Sequence, residues 1–250
     1  RLFPLGQLPG RAMNRLRQRR EIQRLLLPLG RPLSPERWIF VLGCYNSGTT
    51  LLHALLSAHA DIAALPMEGV GLTDSLPRPE ESGWPRMWCR CPDRVRLEPG
   101  PGMAELAQRI QRQWSIWYPG RAGNLLEKSV ANAARMPFLQ EYFQPAYFIH
   151  IVRNGYAVAE GIRRKADLRR WRNPVYESRY PIELCAEQWA TSDRVVHGDS
   201  LRIRRFMQIY YEDLVADPQG VMQRITDFLG LAPLPHDLFG RDWKVHAPPG

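Results

Sequence analysis

The sequence has no apolar run close to the roughly 18 residues that a membrane-spanning helix requires. Cysteine is also scarce, and the 4 cysteines form neither a C-x-x-C pair nor the ligand spacing of a zinc site. They are Cys44, Cys89, Cys91 and Cys185. We therefore predict free thiols, no metal site and a cytoplasmic location, because free thiols persist in reducing compartments.

Acidic residues are fewer than basic residues. The 250 residues include 25 Asp and Glu against 34 Lys and Arg, which gives a formal net charge of +9. A basic protein attracts anionic partners, and nucleotides, acidic or sulfated sugars, lipid headgroups and nucleic acids are all anionic. Composition does not choose among these partners.

Two regions differ in composition. Residues 1–37 form a basic N-terminal segment, and residues 38–250 are predicted to form a single domain without internal repeats. Within the first region, residues 11–27 have the pattern of a basic amphipathic helix. Its apolar face consists of Met13, Leu16, Ile22 and Leu25. This helix is predicted either to dock on the domain through its leucines or to contact a membrane surface.

Predicted strands and helices alternate along the second region. The strands cover residues 38–42, 124–129, 146–152 and 206–214. The helices cover residues 49–59, 103–117, 131–143, 156–168, 181–197 and 218–230. The alternation is typical of an α/β fold, here a three-layer αβα sandwich with a central parallel sheet. Residues 66–102 look irregular, and we predict that they form a lid that shapes an acceptor pocket. Its Trp84 and Trp88 would either stack on the acceptor or serve in packing.

A glycine-containing loop follows the first predicted strand. The stretch GCYNSGTT, residues 43–50, has the glycine spacing of a G-x-x-x-x-G-K-[ST] phosphate loop, but Thr49 occupies the lysine position. Backbone N–H groups and the helix dipole at such a loop favour an anion. The strand over residues 146–152 is followed by Arg153 rather than by an acidic residue. The pattern therefore indicates that an anion is bound without a metal ion.

Four segments in this order resemble the motifs of sulfotransferases that use 3′-phosphoadenosine 5′-phosphosulfate (PAPS). They are NSGTTLL, LLEKSVANAARMPFL, IVRNGYAVAEG and YYEDLVADPQGVMQRITDFLGL. The resemblance covers about residues 38–230 and implies a P-loop-like phosphate-binding loop. It also implies transfer of a sulfuryl group from PAPS to a hydroxyl or amine of a small molecule, sugar or lipid, by an in-line reaction without a metal.

The resemblance also implies which residues bind the cofactor. They are Asn46, Ser47, Gly48, Thr49, Thr50, Arg153 and Tyr211. The backbone of the loop would hold the 5′-phosphosulfate, and the planar fork of Arg153 would hold the 3′-phosphate. Tyr211 would lie either near the adenine or in the core.

Two residues are predicted to carry the transfer chemistry. Glu68 lies about twenty residues after the loop, where related enzymes place a catalytic glutamate, and it is the predicted base for the acceptor proton. Lys128, at the end of a predicted strand, is placed to stabilise charge on the sulfuryl group. His53 is the alternative base.

Three positions depart from the family pattern. Asn46 stands where many members have lysine or arginine, Gly161 where members with the arginine motif usually have serine, and Val130 where proline is usual. The first departure bears on reaction rate, the second on cofactor affinity and the third on loop shape. The candidates to replace the missing serine are Arg163, Arg164 and Lys165.

Other functions stay open at the level of sequence. The uncharged Asn46 favours a binding protein that holds PAPS or its product PAP and catalyses little. A P-loop kinase is disfavoured by Thr49 and Arg153. Nucleic-acid binding through the basic N-terminal segment is not expected, because no recognition fold is visible. The acceptor and the oligomeric state cannot be read from the sequence.

Overall fold

The computed structural model describes residues 18–120 and 123–239. Of the predicted basic helix, residues 11–17 with Met13 and Leu16 lie outside the described residues. Within the described ranges, no helix combines the length and the apolar character that crossing a bilayer would require.

Five parallel strands form one central sheet. They are β1 (Arg37–Leu42), β2 (Ile62–Ala64), β3 (Asn124–Lys128), β4 (Ala146–Val152) and β5 (Phe206–Tyr210). Their order across the sheet is β2-β3-β1-β4-β5. In the centre, Phe40 of β1 pairs with Glu127 on one side and Phe148 on the other. The predicted α/β fold with a parallel sheet is confirmed.

Helices cover both faces of this sheet. Those of the described chain are α1 (Arg20–Leu26), α2 (Thr49–Ser57), α3 (Pro92–Val95), α4 (Met103–Ser115), α5 (Met136–Tyr142), α6 (Gly155–Lys165), α7 (Ile182–Ser200), α8 (Tyr211–Ala216) and α9 (Pro218–Leu229). Successive residues of β1 point to opposite faces of the sheet. Trp38 and Phe40 therefore pack in one apolar cluster, and Ile39 and Val41 pack in a second cluster. Both faces are buried, which explains the uninterrupted apolar pattern of this strand.

The predicted strand over residues 206–214 is too long. It ends at Tyr210, and the chain continues as helix α8. Tyr210 pairs with Val152, the last residue of β4, so no neighbouring strand remains to extend the ladder. The sequence also did not reveal β2, because three residues are too short for a periodic pattern.

The predicted continuous helix over residues 131–143 is also wrong. A short 3-10 helix, Val130–Ala134, is separated from α5 by Arg135, which has φ −135° and ψ 11°. Arg135 is fully buried, and its guanidinium donates to the carbonyls of Pro77 at 2.7 Å and Val95 at 2.8 Å. The break in the helix lets this side chain hold the segment over residues 66–102.

That segment, which we call the lid, has only short helical turns in place of extended regular structure. The prediction of an irregular excursion is correct. Its polar anchor is the buried Asp74, which accepts hydrogen bonds from Arg24 at 3.0 Å, Arg109 at 2.7 Å and Gln113 at 2.9 Å. Burial opposes ionisation of Asp74, but these donors outweigh it and hold the pKa of the carboxyl well below its ordinary value.

Helix α1 docks through polar groups and not through its leucines. Leu25 is 74% exposed, whereas Gln23 is fully buried. The side chain of Gln113 donates to the Gln23 carbonyl at 3.2 Å, and Trp117 donates to Gln23 Oε1 at 3.1 Å. Two arginines of this helix bind the lid, so the described part of the basic segment holds the lid in place.

Candidate active site at the carboxyl edge of the sheet

The carboxyl ends of three adjacent parallel strands meet at one edge of the sheet. The loop over residues 43–50 follows β1, Ser129 follows β3 and Arg153 follows β4. Open parallel sheets bind ligands at this edge. A cavity of about 430 Å³, which we call the loop cavity, opens here. Its walls include Thr49, Thr50, Glu68, Val130, Arg153 and Tyr211.

The loop cavity has the features of an anion site. Helix α2 begins at Thr49, and the first N–H groups of a helix have no acceptor within the helix. The helix dipole adds partial positive charge at the same place. Thr50 lies partly exposed on the cavity wall beside these groups. The structure thus joins donors and positive charge where the sequence predicted a phosphate loop.

Gly48 brings an aromatic ring against this loop. Its backbone has φ 99°, and a Cβ placed there would lie 2.3 Å from the ring of Tyr211. The guanidinium of Arg153 lies over the same ring, 4.1 Å from its centroid. Arg153 also donates to the Asn46 carbonyl at 2.9 Å. Tyr211 and Asn46 therefore hold Arg153 in one orientation on the cavity wall.

Ser47 takes a different position from its neighbours in the loop. It is 1% exposed and does not line the cavity. Its N–H and its hydroxyl both donate to the Cys44 carbonyl, at 3.2 Å and 2.6 Å. Its hydrogen-bonding groups shape the loop from within, whereas the loop residues Tyr45, Asn46, Gly48, Thr49 and Thr50 line the cavity.

The two departures at positions 46 and 161 lie in contact. Asn46 has a left-handed backbone with φ 63°. A Cβ added at Gly161 would lie 2.9 Å from Asn46 Cγ and 3.0 Å from Asn46 Nδ2. In the described part of the chain, the buried Nδ2 atom has no hydrogen-bond partner. Asn46 therefore occupies the space that a side chain at position 161 would need.

Of the three cations proposed to replace the missing serine, only Lys165 lines the loop cavity. Burial lowers the pKa of Lys165, and the nearby charges of Arg86, Arg164 and Arg153 lower it further. Arg163 instead forms an ion pair with Glu160 at 2.7 Å on the helix surface. The structure thus selects one of the three candidates by position.

Glu68 and Lys128 form an ion pair with an Oε1–Nζ distance of 2.9 Å. The side chain of Lys128 is 12% exposed and that of Glu68 is 39% exposed. Both line a second cavity of about 480 Å³, which we call the lid cavity. The loop and lid cavities share the side chains of Glu68, Glu80, Arg86 and Lys165. The two predicted catalytic residues therefore lie together at the junction between the cavities.

Sequence reasoning missed the residue that positions Glu68. Glu127 is fully buried at the end of β3 and accepts a hydrogen bond from the Gly69 N–H at 2.8 Å. Its carboxylate also accepts from Ser129 Oγ and Asn132 Nδ2. Burial raises the pKa of Glu127 to about 7, although these donors oppose the shift. The available signal was an acidic residue directly after the two leucines of the strand NLLEK.

Comparison with known proteins places the chain among its relatives. A model of the sulfotransferase family matches residues 38–235. The chain belongs to this family. Protein-tyrosine sulfotransferase A of Caenorhabditis elegans is 25% identical over 209 residues, which cover 78% of this chain and 50% of that protein. The chain thus spans about half the length of this sulfotransferase relative.

Solved sulfotransferase structures share the fold. The sulfotransferase domain of the Synechococcus PCC 7002 olefin synthase has 28% identity and a TM-score of 0.51, over 82% of this chain and 76% of that one. A mouse sulfotransferase complexed with PAP has 13% identity and a TM-score of 0.53, over 92% of this chain and 70% of that one. The second match concerns the fold alone. The family inferred from the four sequence motifs is confirmed.

Two other predicted features of the site, the alternative base His53 and the lid tryptophans, do not line the two cavities. His53 lines neither cavity, and burial together with the charge of Lys128 lowers its pKa to about 4. Trp88 is 2% exposed, and Trp84 stacks on Tyr180 with centroids 6.2 Å apart. Both tryptophans therefore take part in packing, which is one of the two roles that the sequence left open. Trp171 is a tryptophan that lines the lid cavity.

Gly161→Ala is expected to destabilise the protein by about 1–3 kcal/mol, because the new Cβ overlaps the Asn46 side chain. Gly198→Ala is the matched control, since Gly198 lies within helix α7 and has no atom within 4 Å of an added Cβ. That control is expected to gain up to about 1 kcal/mol. Urea unfolding measures both. Adding Asn46→Gly should rescue Gly161→Ala, and failure of that rescue would contradict the contact.

The substitution Glu127→Gln tests whether the raised pKa of the buried carboxylate makes the stability of the protein depend on pH. The raised pKa makes this group stabilising below its ordinary value of 4.5, and that contribution is lost as pH rises through about 7. Wild type should therefore lose stability between about pH 5 and about pH 8, and Glu127→Gln should lack this slope. Urea unfolding at both pH values measures this change in the free energy of unfolding. Glu105→Gln, at an exposed position, is the control. An unchanged slope in Glu127→Gln would show that another group titrates.

Proposed function

We propose that this protein is a sulfotransferase that transfers a sulfuryl group from PAPS to a hydroxyl or amine of an acceptor. The observation that carries the proposal is the arrangement of the site. An anion site at the start of α2, held beside Arg153, opens directly onto the Glu68–Lys128 pair. The tyrosine acceptor named for one relative supports the same chemistry, because tyrosine presents a hydroxyl.

The residues of the loop cavity fit an adenosine phosphosulfate. The bound donor would supply an activated sulfuryl group attached to a phosphate leaving group. The N–H groups at Thr49 and Thr50 would hold its 5′-phosphosulfate end, because helix N-termini favour anions. Arg153 would bind the 3′-phosphate, since guanidinium can donate two parallel hydrogen bonds to phosphate. Gly48 leaves the space in which Tyr211 and the loop form one continuous wall.

Glu68 and Lys128 would perform the two tasks that transfer requires. Glu68 would accept the proton of the acceptor, because a carboxylate beside the acceptor oxygen makes it a better nucleophile. Lys128 would stabilise negative charge that develops on the sulfuryl oxygens. Their ion pair keeps both side chains at the junction of the two cavities, where donor and acceptor must meet in line.

The acceptor is proposed to enter through the lid cavity, which meets the loop cavity at Glu68. A small molecule, a sugar, a lipid or a protein side chain can each present such a hydroxyl. The second candidate function is binding of PAPS or PAP without transfer. It is favoured by Asn46, which places no charge near the leaving group.

Thermal shift measurements at matched ionic strength distinguish the donor classes. PAP is expected to raise the melting temperature, and ATP with or without Mg²⁺ is expected to raise it much less. At one hundred times Kd the gain in stability from PAP should be about 2.7 kcal/mol. Arg153→Ala should weaken PAP binding. Arg163→Ala should not, because Arg163 pairs with Glu160 on the helix surface. A preference for ATP–Mg²⁺ would overturn the proposal.

Transfer from labelled PAPS to a panel of hydroxyl and amine acceptors separates an enzyme from a binding protein. Glu68→Gln is expected to lower kcat by about 10²–10⁴ while PAP affinity stays within about threefold. Glu98→Gln, an exposed substitution at the end of the lid, is the control and should retain activity. Full activity in Glu68→Gln would remove this residue as the base. Binding of PAP without transfer to any acceptor would favour the second candidate.

A further inference from the structure

A second carboxylate, that of Glu80, faces the cleft beside Glu68. Glu80 lies in a short helical turn of the lid, Pro79–Ser82, which follows the two anchor points at Asp74 and Pro77. It lines both the loop cavity and the lid cavity, as Glu68 does. The roles given above to Glu68, Lys128 and Arg153 leave this side chain unused.

The two carboxylates have opposite environments. Glu68 is held by Lys128 at 2.9 Å. In the described part of the chain, no ion pair includes Glu80. The neighbouring Glu81 forms ion pairs with both Arg20 and Arg78. Burial raises the pKa of Glu80 and the charge of Glu68 adds to the rise, although the backbone N–H groups of Glu80 and Arg86 and the charge of Arg78 oppose it. When two nearby acids differ in this way, they can divide the tasks of a proton transfer between them.

The charges around Glu80 belong to several elements. The cations that share a cavity wall with it are Arg78, Arg86, Lys128, Arg153, Lys165 and Arg170. Asp167 lines the lid cavity as well. Burial raises the pKa of Tyr45, Cys91 and Tyr180, and the charge of Glu80 raises each of them further, which places these groups within its electrostatic range. None of the cations is close enough to form an ion pair with Glu80 among the described residues.

We propose that Glu80 is a second catalytic carboxylate, which shares with Glu68 the single proton that the acceptor releases. The proposal rests on the sulfotransferase function proposed above. In the balanced step, the acceptor oxygen forms a bond to sulfur, and the bond from sulfur to the phosphate oxygen breaks with its electron pair left on that oxygen. The acceptor proton passes to the pair formed by Glu68 and Glu80. No oxidant or reductant takes part.

The position of Glu80 explains why a second acid is useful here. The Glu68 carboxylate is held in its ion pair with Lys128 at 2.9 Å, so one of its oxygens is already occupied by a cation. A second carboxylate at the same cavity junction can take part of the acceptor proton, because two nearby carboxylates bind a single proton as a pair. Glu80 can provide this carboxylate at the junction where the acceptor must lie.

Kinetics of Glu80→Gln test the proposal in the full chain, with the acceptor that gives transfer in the panel assay. Glu80→Gln is expected to lower kcat about tenfold or more, with PAP affinity by thermal shift within about twofold. The acid limb of the kcat/KM profile should move to lower pH, because a neighbouring negative charge has been removed. Glu80→Asp, which keeps a titratable group, should recover part of both effects.

Glu81→Gln is the matched control, because Glu81 lies in the same turn but binds Arg20 and Arg78 and lines neither cavity. It should lower the melting temperature without moving the pH profile. If Glu80→Gln behaves like Glu81→Gln, Glu80 serves only the structure of the lid and the proposal is overturned. Wild-type kcat and an unchanged pH profile in Glu80→Gln would overturn it as well.

A second measurement does not depend on the acceptor or on the folding of a Glu80 variant. Carbon-13 NMR of labelled glutamate carboxyls should show the Glu80 signal titrating above the ordinary value of 4.5. In Glu68→Gln this signal should titrate at lower pH, and a signal that does not move overturns the coupling. Failure of PAP to bind wild type would instead reject the sulfotransferase function, so the two failures are distinguishable.

Discussion

The carboxylate of Glu127 is buried at the end of β3, where it accepts hydrogen bonds from the Gly69 N–H and from the side chains of Ser129 and Asn132. Successive side chains of a strand point in opposite directions. Glu127 therefore reaches the lid from inside the protein, while Lys128, the next residue, reaches Glu68 in the cleft. One strand end thus fixes both the backbone after Glu68 and the side chain of Glu68. The geometry of the proposed transfer site depends on this pair of contacts.

The lid is held by polar contacts because it has little regular structure of its own. A buried backbone needs partners for its N–H and carbonyl groups, and extended loops lack the ladders that strands provide. Arg135 donates hydrogen bonds to two lid carbonyls. Asp74 accepts hydrogen bonds from one arginine of α1, one arginine of α4 and Gln113. Unpaired buried charges are costly, so these groups stabilise the lid only in this arrangement. The same lid brings Glu68, Glu80 and Arg86 to the cleft.

The anion site combines a standard loop with unusual contacts. Arg153 is fixed by the ring of Tyr211 and by the carbonyl of Asn46, so its orientation is set before any ligand arrives. The side chain of Asn46 packs on Gly161, which means that the two departures from the family pattern are a single structural change. Positive charge near the loop comes instead from Lys165 and Arg86, which lie at the junction with the lid cavity.

The sequence by itself determined the parallel α/β fold, four of the strands and the loop of residues 43–50, because these features depend on short-range patterns of apolar residues and glycine. Motif order also identified the family and suggested Glu68, Lys128 and Arg153. Tertiary structure decided that β5 ends at Tyr210, that the predicted helix breaks at Arg135, and that Glu68 pairs with Lys128. It also placed Glu127 and Glu80. The contacts that fix Glu68, Glu127 and Arg135 join groups that are 40 to 60 positions apart in sequence. No local pattern records which of these groups meet in the folded chain.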